Sequence, residues 1–153
     1  MVNTIIYETP KPGDEYQISD CMHASADLLE LVGDARESIA EWKEISAPKE
    51  LRERILSREK TLIAIWDDTI VGFIAFRRSN HLSLLFVRKD CSGKGIGREL
   101  FTRCIQEFSE VTVNSADTAI GFYQKMGFVQ CRARFYQSGI YATPMRWTKP
   151  TMN

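Results

Sequence analysis

A glycine-rich segment in the second half of the chain has the residue types and spacing of an anion-binding loop. It follows an apolar stretch that ends at Val87 and precedes a helical pattern. The segment consists of Ser92, Gly93, Lys94, Gly95, Ile96 and Gly97. A helix beginning here directs unpaired backbone N–H groups and the positive end of its dipole at an anion, and glycine lets them approach it closely. The chemistry this predicts is phosphate binding, with Lys94 and Arg98 adding positive charge.

Three kinds of nucleotide-binding loop compete for this segment. A nucleoside-triphosphate loop, GxxxxGK[ST], fails because residues 93–99 have neither the glycine spacing nor the Lys-Ser/Thr pair. A dinucleotide loop, GxGxxG, would place its third glycine at Arg98 or Leu100, and the following strand ends in Asn114 instead of an acidic residue. A pyrophosphate held by successive loop N–H groups is the third alternative, beside a simple tight turn from strand to helix.

A second motif lies downstream. Asn114 stands at the end of a short strand, and the pattern A-x-x-x-Y-x-x-x-G-F begins at Ala119, with its tyrosine at Tyr123. Together the two motifs resemble those of the GNAT superfamily of N-acetyltransferases, whose loop runs Gln/Arg-x-x-Gly-x-Gly/Ala. Gly95 and Gly97 match the two glycine positions, whereas Ser92 replaces the long polar side chain.

The resemblance implies a co-substrate and a reaction. The co-substrate is acetyl-CoA, and the reaction is direct transfer of its acetyl group to an amine of a small molecule or a peptide, through a tetrahedral intermediate. No metal takes part. Two strands splay apart near Val87 and Asn114, and the thioester lies between them. The residues assigned to the co-substrate are Leu85, Phe86, Val87, Ser92, Gly93, Lys94, Gly95, Ile96, Gly97, Arg98, Asn114 and Tyr123.

The resemblance also implies catalytic roles. A backbone N–H of Phe86 or Val87 stabilises the oxyanion, and Tyr123 protonates the leaving thiolate, since tyrosine with a pKa of about 10 is neutral at pH 7. A base must take a proton from the amine. His81 titrates in the useful range, with Glu41 and Glu44 as alternatives. The competing function is a non-catalytic sensor that binds CoA or another phosphate ligand.

The rest of the sequence supplies the elements that position these residues. Residues 60–66 and 70–76 form a predicted β-hairpin around the turn 67–69, and residues 81–87 form a third strand. A helix from the glycine loop to about Ser109 leads to a strand at 111–113, which predicts a parallel crossover.

The two ends of the chain complete the pattern. Helices are predicted from Asp14, with Gln17 as capping-box partner, over part of 34–45, and from Ser46 to about Ser57. Residues 118–126 form a last helix, and residues 128–136 and 140–147 form a closing hairpin in which Pro144 indicates an edge or a bulge. The fold class is therefore α/β (α+β): a mixed, mostly antiparallel sheet of about six or seven strands, flanked by about four helices.

Composition limits the alternatives. The 153 residues predict one domain spanning 1–153, and 20 Lys+Arg balance 20 Asp+Glu, which argues against nucleic acid as a partner. The apolar runs are far shorter than the about 20 residues of a membrane helix, and the N-terminus lacks a signal-peptide pattern, so we expect a cytoplasmic protein without a membrane partner. Four scattered cysteines show no metal-binding spacing. The edge of the C-terminal hairpin is compatible with a homodimer.

Overall fold

The structure of the chain is a computed structural model that describes residues 4–25, 43–137 and 139–151. The helices are α1 (Glu15–Ser25), α2 (Pro48–Leu56), α3 (Ile96–Cys104) and α4 (Ile120–Lys125). The strands are β1 (Ile6–Glu8), β2 (Thr61–Trp66), β3 (Thr69–Arg77), β4 (His81–Val87), β5 (Glu110–Ala116), β6 (Val129–Gln130), β7 (Phe135–Gln137) and β8 (Ile140–Thr148). Residues 43–45 are also helical. The predicted candidate Glu41 and most of the predicted helix at 34–45 lie outside the described residues.

One mixed sheet organises the chain. Its order is β1-β2-β3-β4-β5-β8-β6, with β7 also paired to β8. All neighbours are antiparallel except β4 and β5, which run parallel. That parallel ladder contains only the pairs His81 with Thr112 and Leu82 with Val113. The mostly antiparallel sheet with one parallel crossover through α3 confirms the predicted fold class, and the eight strands slightly exceed the predicted six or seven.

Helices cover both faces of the sheet. One buried cluster contains Ile96 and Leu100 of α3 and Tyr123 of α4, packed on one face. The other contains Ile18 and Met22 of α1 with Leu51 of α2, packed on the opposite face. Along β5, Val111 and Val113 belong to the α3 cluster, so the intervening Thr112 and the following Asn114 face the other way.

A β-bulge in β4 changes which side chains face α3. Ala75 pairs with Leu84 and Phe76 pairs with Leu82, which leaves Ser83 as an extra residue in β4. The Ser83 hydroxyl donates to the carbonyl of Ala75 at 3.1 Å and accepts from the Arg54 guanidinium at 2.9 Å. As a result Leu82, Leu85 and Val87 all pack towards α3.

Two predicted helix caps are wrong. Gln17 does not cap α1, because its side-chain oxygen accepts the Ile70 N–H of β3 at 3.1 Å. The N-cap of α2 is Ala47, one residue after the predicted Ser46, and Pro48 opens the helix. Ser46 is buried and hydrogen-bonds His23 at 2.9 Å. At both positions the polar side chain hydrogen-bonds a residue that is distant in the sequence instead of capping the helix.

The C-terminal third also differs from prediction. Helix α3 ends at Cys104, before the predicted Ser109. The single strand predicted at 128–136 is two short strands, β6 and β7, both paired to β8. Pro144 does not lie at a sheet edge, because β8 stands between β5 and these strands. The interruption lies opposite Pro144, whose carbonyl accepts the Cys131 N–H at 3.0 Å.

Candidate functional site

Strands β4 and β5 separate beyond their two paired residues, and a cavity of about 470 Å³ opens at this separation. We call it the loop cavity. It lies between the end of β4, the glycine loop and α4. The residues that line it are Leu85, Val87, Cys91, Ser92, Gly93, Gly95, Ile96, Gly97, Arg98, Ala119, Phe122 and Tyr123. Nine of the twelve predicted co-substrate residues therefore line the same cavity.

The glycine loop presents free backbone donors to this cavity. Within the described part of the chain, the N–H groups of residues 93–98 have no backbone acceptor; the first bond of α3 runs from Glu99 N–H to the Gly95 carbonyl. Gly95 is the N-cap of α3 and has φ +75°, a conformation that glycine adopts without steric cost. The loop therefore has the free donors and helix orientation of an anion site.

Gly97 provides the close approach between α3 and α4. A Cβ atom built at this position would lie 3.1 Å from Cζ of Phe122 and 3.7 Å from Cγ2 of Val87. Both neighbours line the loop cavity. The absence of a side chain at Gly97 therefore keeps the cavity open.

The two predicted cations occupy different places. Arg98 lines the loop cavity, and no ion pair of Arg98 is found among the described residues. The Lys94 ammonium lies 4.1 Å from the ring centroid of Trp66, in a cation–π contact. Arg98 is thus directed at the cavity, whereas Lys94 contributes charge from its rim.

The free backbone groups of β4 follow from its pairing. Arg88 N–H donates to the Val71 carbonyl at 2.9 Å, and N–H groups alternate sides along a strand. The Phe86 N–H therefore points towards β3, while those of Leu85 and Val87 point towards the gap at β5. The Phe86 side chain packs on the α1 face. Sequence reasoning did not single out the Leu85 N–H, which the register would have indicated.

Tyr123 forms one wall of the loop cavity. It is 7% exposed, and its ring makes edge contacts with Phe122 and Phe128 at centroid distances of 5.3 and 5.2 Å. Its hydroxyl has no hydrogen-bond partner among the described residues. Burial raises the pKa of Tyr123 above its usual value of 10.0. The phenol is therefore protonated at neutral pH and free to donate.

His81 and Asn114 line a different cavity, of about 410 Å³, on the other face of the β5–β8 pair. We call it the β5–β8 cavity. The His81 Nδ1 lies 2.8 Å from the Thr112 hydroxyl, and Nε2 has no partner in the described ranges. Burial first, then the positive charges of Arg77 and Arg78, lowers the pKa of His81 below 6.5. His81 is therefore neutral at pH 7.

Comparison with known families adds independent information. The model of the acetyltransferase (GNAT) domain matches residues 32–149. The chain belongs to the GNAT acetyltransferase family. It is therefore an acetyl-CoA-dependent N-acetyltransferase.

Curated relatives of the chain are named as N-acetyltransferases. The chain is 25% identical over 142 residues to the uncharacterized N-acetyltransferase YafP of Escherichia coli, covering 88% of this chain and 93% of YafP. It is 36% identical over 84 residues to the peptidyl-lysine N-acetyltransferase YjaB of Salmonella typhimurium, covering 52% of this chain and 57% of YjaB.

Solved structures share the GNAT fold. A GCN5-related N-acetyltransferase from Rhodopseudomonas palustris aligns with a TM-score of 0.80 at 23% identity, covering 97% of this chain and 98% of that one. The PaiA N-acetyltransferase from Thermoplasma acidophilum, solved in complex with coenzyme A, aligns with a TM-score of 0.79 at 16% identity, covering 95% and 99%.

Two other residues of this GNAT chain, Glu44 and Cys91, have side chains that could act in the site. Glu44 is exposed at the helical residues 43–45. Cys91 lines the loop cavity, but burial raises the pKa of its thiol, so it is not a thiolate. Among the described residues there is no metal-binding cluster, and no helix in those ranges is long and apolar enough to cross a membrane.

Proposed function

We propose that this single domain, residues 1–153, transfers acetyl directly from acetyl-CoA to an amine within a ternary complex. The observation that carries the proposal is the gap between β4 and β5, with a proton donor in the cavity on one face of the sheet. A neutral histidine, in the paired stretch just before the gap, lines the cavity on the other face. Tyr123 lines the loop cavity, and His81 lines the β5–β8 cavity. Through such a gap the amine can attack the thioester directly, so the reaction needs no acetylated form of the enzyme.

Acetyl-CoA fits the loop cavity by its chemistry. Its pyrophosphate matches the free N–H groups of residues 93–98 and the charge of Arg98, with Lys94 at the rim. Its pantetheine arm matches the gap-facing backbone of Leu85 and Val87. When bound, it supplies an activated acetyl thioester. Asn114 lines the β5–β8 cavity on the opposite face, and in this proposal it orients the acceptor amine.

The residues act in three places. The Val87 N–H, joined by that of Leu85, donates to the carbonyl oxygen where negative charge develops; Phe86 N–H faces β3. Tyr123 gives its phenolic proton to the departing sulfur. Burial also raises the free energy of a charged thiolate. Protonation of the leaving sulfur by Tyr123 therefore accelerates the reaction more in a dry cavity than it would in water.

His81 is the proposed base. With Nδ1–H donating to the Thr112 hydroxyl, Nε2 retains a free lone pair for the amine proton. The amine nitrogen forms a C–N bond to the acetyl carbon as the C–S bond breaks. The amine proton leaves through Nε2, and the sulfur receives a proton from Tyr123, so the products are the amide and the free thiol of CoA.

The pH dependence of kcat tests this role. Because the pKa of His81 is lowered from 6.5, kcat is expected to fall on acidification at a pH below that at which an ordinary histidine becomes protonated. His81→Gln lowers the plateau value of kcat by about tenfold or more and removes the fall of kcat at acidic pH, which is the acidic limb of the profile. The chain's other histidine supplies the control, His23→Gln. An unchanged acidic limb in His81→Gln would show that His81 is not the base.

Direct transfer has its own test. We expect initial-rate lines that intersect when acetyl-CoA and amine are varied together, and an intact protein mass that does not change with acetyl-CoA alone. An acetylated protein whose label passes to a later amine would contradict the ternary complex. The acceptor is a primary amine of a small molecule or a peptide; relatives named peptidyl-lysine N-acetyltransferases make lysine peptides part of the panel.

A further inference from the structure

The β5–β8 cavity carries a charge pattern that bears on the acceptor. His81, Arg132 and Arg146 line it, together with apolar groups such as Phe135 and Met145. No acidic residue is among the described residues that line it. Its volume of about 410 Å³ lies within the range of about 300–1,000 Å³ that small-molecule pockets occupy.

Arg132 is the cation of this cavity that is not engaged by the protein. Among the described residues it has no ion pair, whereas Arg146 lies 3.6 Å from Glu110. The nearby Arg134 makes two hydrogen bonds with Asp117, at 3.1 and 2.6 Å. Arg134 also stacks on Tyr141. Among the described residues that line this cavity, Arg132 is thus the exposed cation without an ion pair, and it can bind an anion from outside the chain.

The backbone around Arg132 is held in place. The Cys131 N–H donates to the Pro144 carbonyl at 3.0 Å, and the Gln130 side chain donates to the Arg132 carbonyl at 2.9 Å. These bonds fix the connection between β6 and β7 against β8. The guanidinium is thus presented from an anchored segment at the wall of the cavity.

From this arrangement we propose that the acceptor is a small amine that carries a carboxylate, and that Arg132 binds the carboxylate while His81 faces the amine. This inference rests on the proposed function. An amine without an anionic group would bring a second positive charge beside the unpaired guanidinium of Arg132, which disfavours its binding. A carboxylate offsets that repulsion through a charge-assisted hydrogen bond with the guanidinium.

The test compares matched acceptors. Initial rates of thiol release from acetyl-CoA are measured with glycine and β-alanine, each beside its carboxamide, and are expressed per free amine. We expect kcat/KM to be about tenfold or more higher for the acids, as a hydrogen bond to a charged group allows. Equal values for acid and amide in the wild-type enzyme would overturn the inference, as would a lysine peptide without acidic residues that outpaces both acids.

Variants identify the cation. In Arg132→Gln the kcat/KM for the acids falls, so that the acid-to-amide ratio drops by about tenfold or more, and Arg132→Lys retains part of the preference. Arg58→Gln removes the same charge from an exposed site outside this cavity and leaves the ratio unchanged. A ratio that survives in Arg132→Gln overturns the assignment of Arg132. If no amine gives turnover although CoA raises the Tm, the proposed function itself has failed, and the inference with it.

Discussion

Tyr123→Phe is expected to lower kcat by about tenfold or more with little change in the affinity for acetyl-CoA. The substitution removes only the hydroxyl, which has no hydrogen-bond partner among the described residues. It keeps the ring contacts with Phe122 and Phe128. Folding is therefore preserved while the proton for the leaving sulfur is lost, and general acids typically contribute about 10²–10⁴-fold.

The measurement is kcat beside the Kd of acetyl-CoA, with Tm as a check of folding. Tyr16→Phe provides a matched control, because Tyr16 is 63% exposed on α1 and remote from the loop cavity. Turnover in Tyr123→Phe equal to that of the control would rule out the general-acid role.

Gly97→Val is expected to raise the KM for acetyl-CoA by about tenfold or more. A Cβ here already lies 3.1 Å from Phe122 Cζ, and the added methyl groups push that ring into the loop cavity or displace the start of α3. Because the displaced ring takes up space that the co-substrate needs, binding is weakened, and a loss of about 1.4 kcal/mol corresponds to a tenfold change in affinity. Steady-state kinetics at saturating amine measure the effect.

The same substitution at Gly121 is its control. A Cβ at Gly121 meets nothing within 4 Å, so Gly121→Val is expected to leave the KM for acetyl-CoA near the wild-type value. A Gly97→Val enzyme with unchanged KM would mean that co-substrate binding does not need the space beside Phe122.

Local patterns predicted the parts of the site that depend on local conformation. Gly95 and Gly97 stand where a left-handed residue and a close approach are required, and both requirements are readable from a glycine motif before a helix. The turn between β2 and β3 was equally readable, since Asp67 and Asp68 adopt positive φ in a tight hairpin.

Side-chain directions depended on contacts that are distant in sequence. Lys94 was expected at the phosphate, but its ammonium lies over Trp66, 28 positions earlier in the chain. Asn114 was expected beside the co-substrate, yet it follows the buried Val113 in β5 and faces the β5–β8 cavity. Strand alternation alone would have indicated that face.

The bulge and the acceptor side were beyond sequence reasoning. The bulge at Ser83 is accompanied by a hydrogen bond from Arg54, 29 residues away, to the Ser83 hydroxyl. Without that bulge the alternation of β4 would direct Leu85 away from α3. Arg132 was not singled out either, because its importance comes from the break between β6 and β7 that places it at a cavity.

Amine-dependent release of free thiol from acetyl-CoA is the most direct test of the central claim, that the gap between β4 and β5 joins two substrates for acetyl transfer. It is measured over a panel of amines, beside the Tm with CoA. We expect CoA to raise the Tm and at least one amine to release thiol in an amount equal to that of the acetylated amine. A Tm raised by CoA with no turnover on any amine would contradict it and favour a CoA-binding sensor.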